Sequence, residues 1–296
     1  MIIDVLQHNQ AFYISTVFIL GLLVGSFLNV VIYRLPVIFK REWRKDCCSY
    51  LEENYKVTIQ LDISKEPAEP FNLVKPDSTC PACGHQIRAW ENIPVISYLF
   101  LKAKCANCKT PISIRYPLIE LLSAILAALC AWHFGFSLAG LAAILLSWAL
   151  ISLAMIDYDT QYLPDQITLP FLWLGIILNL NNIFTDIESS IIGAVAGYLS
   201  LWSVYHIFKL ITKKEGMGYG DFKLLALLGA WMGWQFLPVI VILSSLVGSI
   251  VGISLIIFKK HQREIPIPFG PYLAIAGWIA LIWGNEINQS YLNWIS

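Results

Sequence analysis

The sequence contains few charged residues. Lysine, arginine, aspartate and glutamate make up 14% of its 296 residues, whereas a soluble globular domain carries about 25%. Hydrophobic residues make up 57%, and they form blocks of the length that a helix needs to cross a bilayer, about 20 residues. The scarcity of charge excludes an ordinary soluble domain and indicates a polytopic membrane protein.

Basic residues are absent from the beginning of the chain. No lysine or arginine precedes Arg34, so the first apolar run lacks the positively charged start of a secretory signal peptide. The run also lacks a small-residue cleavage site and is too long for a signal peptide. We therefore expect a membrane anchor whose start lies outside the cytoplasm.

The apolar blocks predict eight membrane-spanning helices. The stretch 222–258 is too long for one crossing at 1.5 Å per residue. Gly233 and Pro238 favour a break inside it, because proline cannot continue a helix without losing a backbone hydrogen bond. The predicted spans cover residues 11–33, 117–134, 138–156, 167–184, 188–208, 222–235, 237–258 and 269–285.

The distribution of basic residues supports this number of spans. Thirteen of the 20 lysines and arginines lie between Arg34 and Arg115, and eight crossings place the other seven on the same side of the membrane. The positive-inside rule makes that side the cytoplasm, so both chain termini are expected in the periplasm. Seven crossings would put the three basic residues after span seven on the opposite face; these are Lys259, Lys260 and Arg263.

Four cysteines form two C-x2-C pairs in the hydrophilic part of the chain. Cys80 and Cys83 are separated from Cys105 and Cys108 by 21 residues. Two such pairs can close a tetrahedral site around Zn²⁺. Disulfide bonds are the alternative, but a cytoplasmic segment lies in a reducing compartment. Four sulfur ligands leave no open position, so we predict a structural zinc ion that supplies folding energy.

The long hydrophilic segment that carries these cysteines covers residues 34–116. His85 lies beside the first pair and is an alternative ligand. The segment has 13 basic and 9 acidic residues and therefore a net positive charge. Anionic lipid headgroups attract such a charge, but any solvated cytoplasmic loop would also show it. The prediction is an all-α polytopic membrane protein with about eight transmembrane helices and a small zinc-binding cytoplasmic domain between helices 1 and 2. Residues 1–33 form the first helix and residues 117–296 the main membrane domain.

Two acidic sites lie at the ends of apolar spans. The sequence IDYDTQYLPD places Asp157, Asp159 and Asp165 at the end of span three, and Asp221 lies at the start of span six. A charged aspartate inside a bilayer costs about 2.5–3.5 kcal/mol, so ionisable residues there indicate function. The ordinary alternatives are polar residues at a helix end and, for Asp221, a helix cap.

The two acidic sites share one membrane face in the predicted topology, so spans three and six can bring Asp157 and Asp221 together. Two carboxylates within about 3 Å of each other share one proton. One can then take a proton from water while the other protonates the scissile carbonyl oxygen, which is aspartyl protease chemistry. Gly216, Gly218 and Gly220 precede Asp221 and predict unusual backbone angles and close approach of a substrate strand.

Two other functions also use acids at membranes. Asp157-Tyr-Asp159 matches the D-x-D pattern of transferases that bind Mg²⁺ or Mn²⁺, yet Lys223 is the one basic residue close to these carboxylates that could bind a pyrophosphate. A transporter would relay protons through acids near the middle of the bilayer, often within repeated halves. These acids lie at its edge, so the pattern favours a peptidase.

Several motifs resemble one family over nearly the whole chain. They are GSFLNVVIYRLP at residues 25–36, the double C-x2-C with ENIPVIS at residues 91–97 between its pairs, RYPLIE at residues 115–120, IDYDTQYLPD, and GYGDFKLLALLGAW. With these motifs the chain is similar to the bacterial type IV prepilin peptidases, which are GxGD-type membrane aspartyl proteases of peptidase family A24.

The resemblance implies an activity, a location and a set of site residues. Members of the family remove the short basic leader of prepilins and pseudopilins after a glycine, at the cytoplasmic face of the bacterial inner membrane. The implied partners are these substrates and membrane lipid, with no nucleic acid. By motif match, Asp157 and Asp221 are the catalytic pair. Asp159 and Asp165 have supporting roles in orientation, electrostatics or capping of span four, and Gly218, Gly220 and Lys223 are further supporting residues.

The resemblance also implies a second activity. Many members methylate the new N-terminal residue with S-adenosylmethionine, and methylation is linked to the segment that is residues 34–116 here. The family commonly has a glycine between two basic residues just before the second cysteine pair, where this chain has Ala103. If the backbone there needs a positive φ, alanine costs about 1 kcal/mol or more, which weakens the expectation of methylation. No Rossmann-type glycine-rich loop is present, so residues that bind S-adenosylmethionine stay unassigned.

Small and polar residues in span one and arginines at span ends have structural interpretations. Gly25, Ser26 and Asn29 are predicted to mediate helix packing, with contact to a substrate or cofactor as the alternative. Arg34 and Arg115 are expected to anchor helix ends to lipid headgroups.

Overall fold

The computed structural model describes residues 2–56, 70–214, 216–259 and 268–295. Within these ranges the chain forms α-helices, two short 3-10 helices and two isolated β-bridges, but no β-strand. The prediction of an all-α protein is confirmed. Lys260 and Arg263, which entered the topology prediction, lie outside the described residues. The helices are α1 (Ile2–His8), α2 (Gln10–Tyr55), α3 (Ile96–Phe100), α4 (Arg115–Phe134), α5 (Leu138–Thr160), α6 (Asp165–Asn179), α7 (Ile187–Thr212), α8 (Tyr219–Met232), α9 (Leu237–Lys259) and α10 (Gly270–Ile295).

Each of the eight predicted spans coincides with one helix. Span one falls on α2, and spans two to eight fall on α4 to α10 in order. α6 and α8 have 15 and 14 residues, fewer than the roughly 20 that a crossing needs, so eight crossings stay a prediction. Among the described residues, five segments are long and apolar enough to cross a membrane; they are Gln10–Tyr55, Arg115–Phe134, Leu138–Thr160, Ile187–Thr212 and Trp234–Ser254.

The predicted break inside residues 222–258 is present, and Gly233, one of the two predicted residues, causes it. α8 ends at Met232, and Gly233 has a φ of 87°, which glycine adopts without the steric cost of a Cβ. Pro238 is the second residue of α9, where its missing N–H has no helical partner to lose. The glycine part of the prediction is therefore confirmed and the proline part is wrong, because Gly233 ends α8 and Pro238 lies in the first turn of the next helix.

α2 continues far beyond the predicted end of span one at residue 33. It passes through Pro36 and ends at Tyr55. Its last turns are rich in lysine, arginine and glutamate and are mostly exposed. These residues have high helix propensity and need no apolar face in an exposed helix. The hydrophilic segment therefore begins as a helix rather than as a loop.

Residues 19–124 form one of two compact units. In this unit α2 and α4 cross closely at Gly25, where an added Cβ would lie 2.6 Å from the Cα of Glu120. The side-chain amide of Asn29 donates to the carbonyl oxygen of Tyr116 at 3.2 Å. Small residues and interhelical hydrogen bonds are the usual means of helix association in membranes, so these contacts support the helix-packing interpretation of Gly25 and Asn29.

Arg34 has a different role from the predicted one. Its side chain is buried, and its guanidinium donates to the carbonyl oxygens of Asn72 and Pro76 at 3.0 and 2.7 Å. The prediction that Arg34 anchors to lipid headgroups is wrong, because the loop before the first cysteine pair supplies the oxygens that its buried charge requires. The anchoring role of Arg115 stays a prediction.

The second compact unit comprises residues 1–18 and 125–296, and α8 lies in its core. α8 packs against α6, α7 and α10, and almost all of its residues from Phe222 onward are buried. α7 approaches it so closely that a Cβ added to Gly229 would lie 2.2 Å from the carbonyl oxygen of Gly193. The side-chain amide of Asn179 donates to two carbonyl groups in the last turn of α8, at 2.9 and 3.0 Å. These contacts fix the short helix that begins with the second acidic site.

Candidate active site and metal centre

Asp157 lies in the last turn of α5, with its side chain directed into the protein. The residue is 5% exposed, and its Oδ2 accepts the backbone N–H of Gly270 at 3.0 Å. α5 ends immediately afterwards, since Gln161 takes a left-handed conformation with a φ of 54° and donates its N–H to the carbonyl of Asp157. A helix end and the start of α10 thus hold one carboxylate in place.

Asp221 lies in the first turn of α8 and is also buried, with 7% of its surface exposed. It is the third residue of the helix, and the N-cap residue is Gly218. An acidic residue in the first turn interacts favourably with the helix dipole, but Asp221 is not the cap residue itself. Capping alone does not account for the burial of the carboxylate.

Asp157 and Asp221 lie in the same region of the structure. The charge of the Asp157 carboxylate acts on the Asp221 carboxyl. Both belong to the same compact unit, and their helices are separated by α6 and α7 along the chain. A pair of neighbouring buried carboxylates is the arrangement in which one group holds a proton while the other is charged. Such a pair can act as a general acid and a general base at the same time.

Glycines near the pair matter because they lack a side chain. Gly218 has a φ of −81° in an extended conformation that any residue adopts, so the predicted unusual backbone angle is absent there. Gly220 lies inside α8, and a Cβ on it would come within 2.8 Å of the Cβ of Leu163. Gly220 therefore makes room for the segment that follows α5.

Gly270 was not among the predicted site residues. A Cβ on it would lie 2.6 Å from Oδ2 of Asp157, the same oxygen that accepts its N–H. The sequence carries a weak signal for this position, a glycine between Phe269 and Pro271 at the start of the last apolar span.

The remaining predicted acids are more exposed than the pair. Asp165 is the first residue of α6 and forms an ion pair with Lys223, whose Nζ lies 2.7 and 2.8 Å from its two carboxylate oxygens. The N-cap of α6 is Pro164, so Asp165 is not the cap residue that was suggested. Asp159 is exposed on α5.

The positions of Asp157 and Asp159 argue against the D-x-D transferase. Residues two apart on a helix do not face each other, and here one side chain is buried while the other is exposed. In the part of the chain that the structure describes, the cysteines are the one group of three or more histidine, cysteine or acidic residues arranged to hold a metal ion.

The four predicted cysteines form that cluster. Their sulfur atoms all lie within 4.8 Å of one another, and Sγ of Cys80 is 3.8 Å from Sγ of Cys108. Zn–S bonds of about 2.3 Å in a tetrahedron require sulfur atoms roughly 3.8 Å apart. The cysteines are free thiols, so the disulfide alternative is wrong in this structure. The donor set fits a structural Zn²⁺.

Each cysteine pair lies in a turn of the same design. The N–H of Cys80 donates to the carbonyl of His85, and the N–H of Cys105 donates to the carbonyl of Thr110, both at 2.9 Å. The residue after each second cysteine has a positive φ, which is 70° at Gly84 and 61° at Lys109. Glycine adopts this conformation readily, and the second turn forms it with a lysine.

His85 does not take the place of a cysteine ligand, because its side chain pairs with an acid. Its Nε2 lies 3.1 Å from Oε2 of Glu91. The same oxygen accepts the backbone N–H of Arg88 at 3.0 Å. The hydrogen bond from the backbone of Arg88 has the larger effect on Glu91, and the one from His85 adds to it. Together they hold the pKa of Glu91 below its usual range. The His85–Glu91 pair thus ties the first cysteine turn to the 3-10 helix Ala89–Asn92.

Ala103 has a strained backbone, at the position where the family commonly has a glycine. Its φ is 59°, its N–H donates to the carbonyl of Tyr98, and its own carbonyl accepts the N–H of Ile112, both at 2.8 Å. The condition under which alanine at this position is costly, a positive φ, is therefore met. These observations together define a class: a helical membrane protein with a neighbouring pair of buried aspartates and a four-cysteine cluster.

Comparison with known proteins identifies the family within that class. The model of the bacterial peptidase A24 N-terminal domain matches residues 19–134, and the model of the type IV leader peptidase family matches residues 144–253. This chain belongs to the type IV leader peptidase family.

Relatives resemble the chain over nearly its full length. A prepilin leader peptidase/N-methyltransferase from Stutzerimonas stutzeri is 53% identical over 294 residues, which cover 98% of this chain and 97% of the relative. Proteins with the same name from Pseudomonas aeruginosa and Neisseria gonorrhoeae are 53% and 49% identical, and the matches cover 97% and 93% of this chain and 95% and 92% of the relatives. No solved structure matches the chain significantly.

Proposed function

We propose that this protein is a membrane aspartic endopeptidase that removes the leader peptide of type IV prepilins and pseudopilins, with Asp157 and Asp221 as its catalytic pair. The observation that carries the proposal is the neighbouring position of these two buried carboxylates, one at the end of α5 and one at the start of α8. Family membership and the names of the relatives support the substrate class.

The pair performs hydrolysis with one shared proton. The charged aspartate takes a proton from a water molecule while the water oxygen attacks the scissile carbonyl carbon, and the protonated aspartate gives its proton to the carbonyl oxygen. The tetrahedral intermediate then breaks its C–N bond as the leaving nitrogen receives a proton from the first aspartate and a hydroxyl of the intermediate returns a proton to the second. The products are the carboxylate of the leader and a free amino group on the pilin. Gly270 orients Asp157 through its N–H.

The peptidase proposal is tested on a purified prepilin in lipid. Asp157→Asn and Asp221→Asn should each lower kcat/KM by about 10³-fold or more, because loss of a general acid or base costs roughly 10²–10⁴. Asp159→Asn on α5 is the comparison variant, and its loss should be far smaller, since that exposed side chain has at most a supporting role. Full activity in either of the first two variants, or strict dependence on added Mg²⁺ or Mn²⁺, would reject the assignment.

We further propose that the protein methylates the new N-terminal residue with S-adenosylmethionine as co-substrate. The relatives' common name supports this second activity. Mass spectrometry of a prepilin incubated with the protein and S-adenosylmethionine reports leader loss and an added methyl group in one measurement. Leader loss without a methyl group would reject the methylation and leave the peptidase assignment intact.

The cysteine cluster is proposed to hold one structural Zn²⁺ that stabilises the segment 34–116. Cys80, Cys83, Cys105 and Cys108 would be its ligands, as the sulfur spacing supports. Elemental analysis of protein purified under reducing conditions should find about one zinc per chain. The count should fall in Cys105→Ser and stay unchanged in Cys130→Ser, which alters a buried thiol outside the cluster. Wild-type protein without zinc contradicts the proposal.

We place the chain in the bacterial inner membrane with eight crossings, periplasmic termini and the aspartate pair at the cytoplasmic face. The distribution of basic residues supports this orientation. Residues 1–33, 34–116 and 117–296 are then the first helix, the cytoplasmic zinc-binding domain and the peptidase domain. Labelling of a cysteine introduced at Ser137, between α4 and α5, should succeed from the periplasmic side; labelling from the cytoplasmic side alone would reverse the orientation.

A further inference from the structure

The short helix α3 has an exposed apolar face. Ile96, Leu99 and Phe100 are 49%, 69% and 82% exposed. Because residues three and four apart on a helix are neighbours, these side chains form one patch. Trp90 and Ile93, just before α3, are large and exposed as well. Contiguous exposed apolar surface of this kind marks an interaction site.

Hydrogen bonds place this face beside the beginning of α4. The backbone N–H of Val95 donates to Oε2 of Glu120 at 2.8 Å, and Glu120 lies in the second turn of α4. Helical side chains lean toward the N-terminus of their helix, so Val95 is level with the first turn of α4. After α3, the carbonyl of Ala103 accepts the N–H of Ile112, three residues before α4 begins.

α4 is long and apolar enough to cross a membrane, and after Arg115 its outer surface is apolar from the first turn. Leu118 and Leu122 are exposed one turn apart, as lipid-facing residues are. The face of α3 therefore adjoins the level at which α4 enters the bilayer. Its apolar surface continues the lipid-facing surface of a membrane-spanning helix.

A strained turn holds α3 at this level. Val95 has a φ of 59° and a ψ of −46°, and the N–H of Ile96 donates to the carbonyl of Pro94, which together form a γ-turn of the strained kind. A β-branched residue in this conformation is an outlier, and such outliers persist where surrounding contacts over-determine them. Buried Glu120 supplies that contact by accepting the N–H of Val95.

We propose that residues 89–101, named here the interfacial segment, lie in the membrane interface, with the apolar face of α3 among the outer parts of the acyl chains and Glu120 as the positioning residue. Basic residues flank the segment: Arg88 precedes it, and Lys102 and Lys104 follow it, all exposed. An apolar face bordered by cations is the pattern of a helix that lies in the interface of an anionic bilayer. The proposal does not depend on the proteolytic or methylating activity.

The test uses the full chain in nanodiscs of phosphatidylcholine and phosphatidylglycerol that contain a phospholipid with a photoactivatable diazirine on its acyl chain. Trypsin cleaves after Arg88 and Lys102, so the interfacial segment is recovered in one peptide, residues 89–102. Lipid adducts are expected on this peptide at Leu99 and Phe100. The peptide 105–109, with the second cysteine pair, should carry at least about fivefold fewer adducts, because it lacks apolar surface to insert.

The substitution Leu99→Gln/Phe100→Gln should lower the adduct yield on peptide 89–102 by about fivefold or more while the yield on α4 stays unchanged. Absence of adducts from this peptide in the wild-type protein overturns the proposal, because the face would then lie in water or against a protein partner. An unchanged yield in the double variant also overturns it.

The positioning role of Glu120 is tested by comparing two substitutions. Glu120→Gln keeps an oxygen that accepts the N–H of Val95, so adducts on peptide 89–102 should persist; Glu120→Ala removes the acceptor, so they should fall. Zinc content monitors the integrity of the cysteine turns in both variants. Val95→Gly is a control. Glycine adopts this backbone conformation without strain and keeps the N–H that Glu120 accepts, so the adduct yield should equal that of the wild type. Equal yields in the alanine and glutamine variants would show that Glu120 does not position the segment.

Discussion

The contact between Gly270 and Asp157 allows a sharp test of the proposed active site. In Gly270→Ala, the new Cβ would lie 2.6 Å from Oδ2 and 3.1 Å from Cγ of Asp157. Non-bonded heavy atoms prefer separations of about 3.5–4.0 Å, so the carboxylate must retreat by roughly 0.5–1 Å. The N–H of residue 270 would then lose its present alignment with Oδ2.

A displacement of this size has a large expected effect on catalysis. Misplacing a catalytic group by about 1 Å costs up to about 10²-fold in rate. We expect kcat to fall by about 10- to 100-fold, which corresponds to roughly 1.4–2.7 kcal/mol in activation free energy. KM should change little, because Gly270 contacts the catalytic carboxylate and the change affects the reacting geometry rather than uniform binding.

The assay is steady-state cleavage of a purified prepilin in lipid, with thermal unfolding measured in parallel. Gly277→Ala is the matched control on α10, since its Cβ would lie 2.5 Å from Cδ2 of Leu228 and would disturb packing without touching the aspartates. It should lower stability and leave kcat close to wild type. Wild-type kcat in Gly270→Ala, or equal loss of kcat in both variants, would refute the reasoning.

Three further substitutions follow from the geometry. Ala103→Gly should stabilise the protein by about 1 kcal/mol, because it relieves a residue held at positive φ; an unchanged or lower unfolding temperature contradicts this. Lys223→Gln should cost no more than about 1 kcal/mol, since the ion pair with Asp165 is partly exposed; a larger loss in chemical denaturation would show a coupled role. Gly229→Ala should cost about 1–3 kcal/mol or more, because its Cβ would press on the backbone of Gly193; wild-type thermal stability would show that α7 and α8 can separate.

The positions of the helices could be predicted from the sequence because apolar blocks determine them. Every predicted span coincides with a helix, since an apolar block of this length has few other ways to satisfy its backbone in a membrane. The ends of helices were less predictable. α2 runs on through a charged stretch to Tyr55 because helix propensity, rather than apolar pattern, decides the structure of an exposed segment.

The candidate site was predictable where local sequence marks it. Asp157 and Asp221 stand out because each is a carboxylate at the end of an apolar block, and the metal cluster stands out because cysteine spacing is a direct geometric signal. The buried role of Arg34 was not predictable, because the carbonyl groups that bind it lie 38 and 42 residues away in the chain. An arginine at a helix end has the same local sequence whether it faces lipid or protein.

Gly270 escaped prediction for a related reason, and it shows what a glycine in a sequence leaves open. A glycine can be required for its freedom of φ or for its missing Cβ. Gly233 is of the first kind, with a φ of 87° that ends a helix. Gly220 and Gly270 are of the second kind, because neighbours distant in the chain occupy the space a Cβ would need. Turn patterns in the local sequence indicate a glycine that is required for its φ. A glycine that is required for its missing Cβ depends on which segments meet, and only the folded chain brings residue 270 to Asp157.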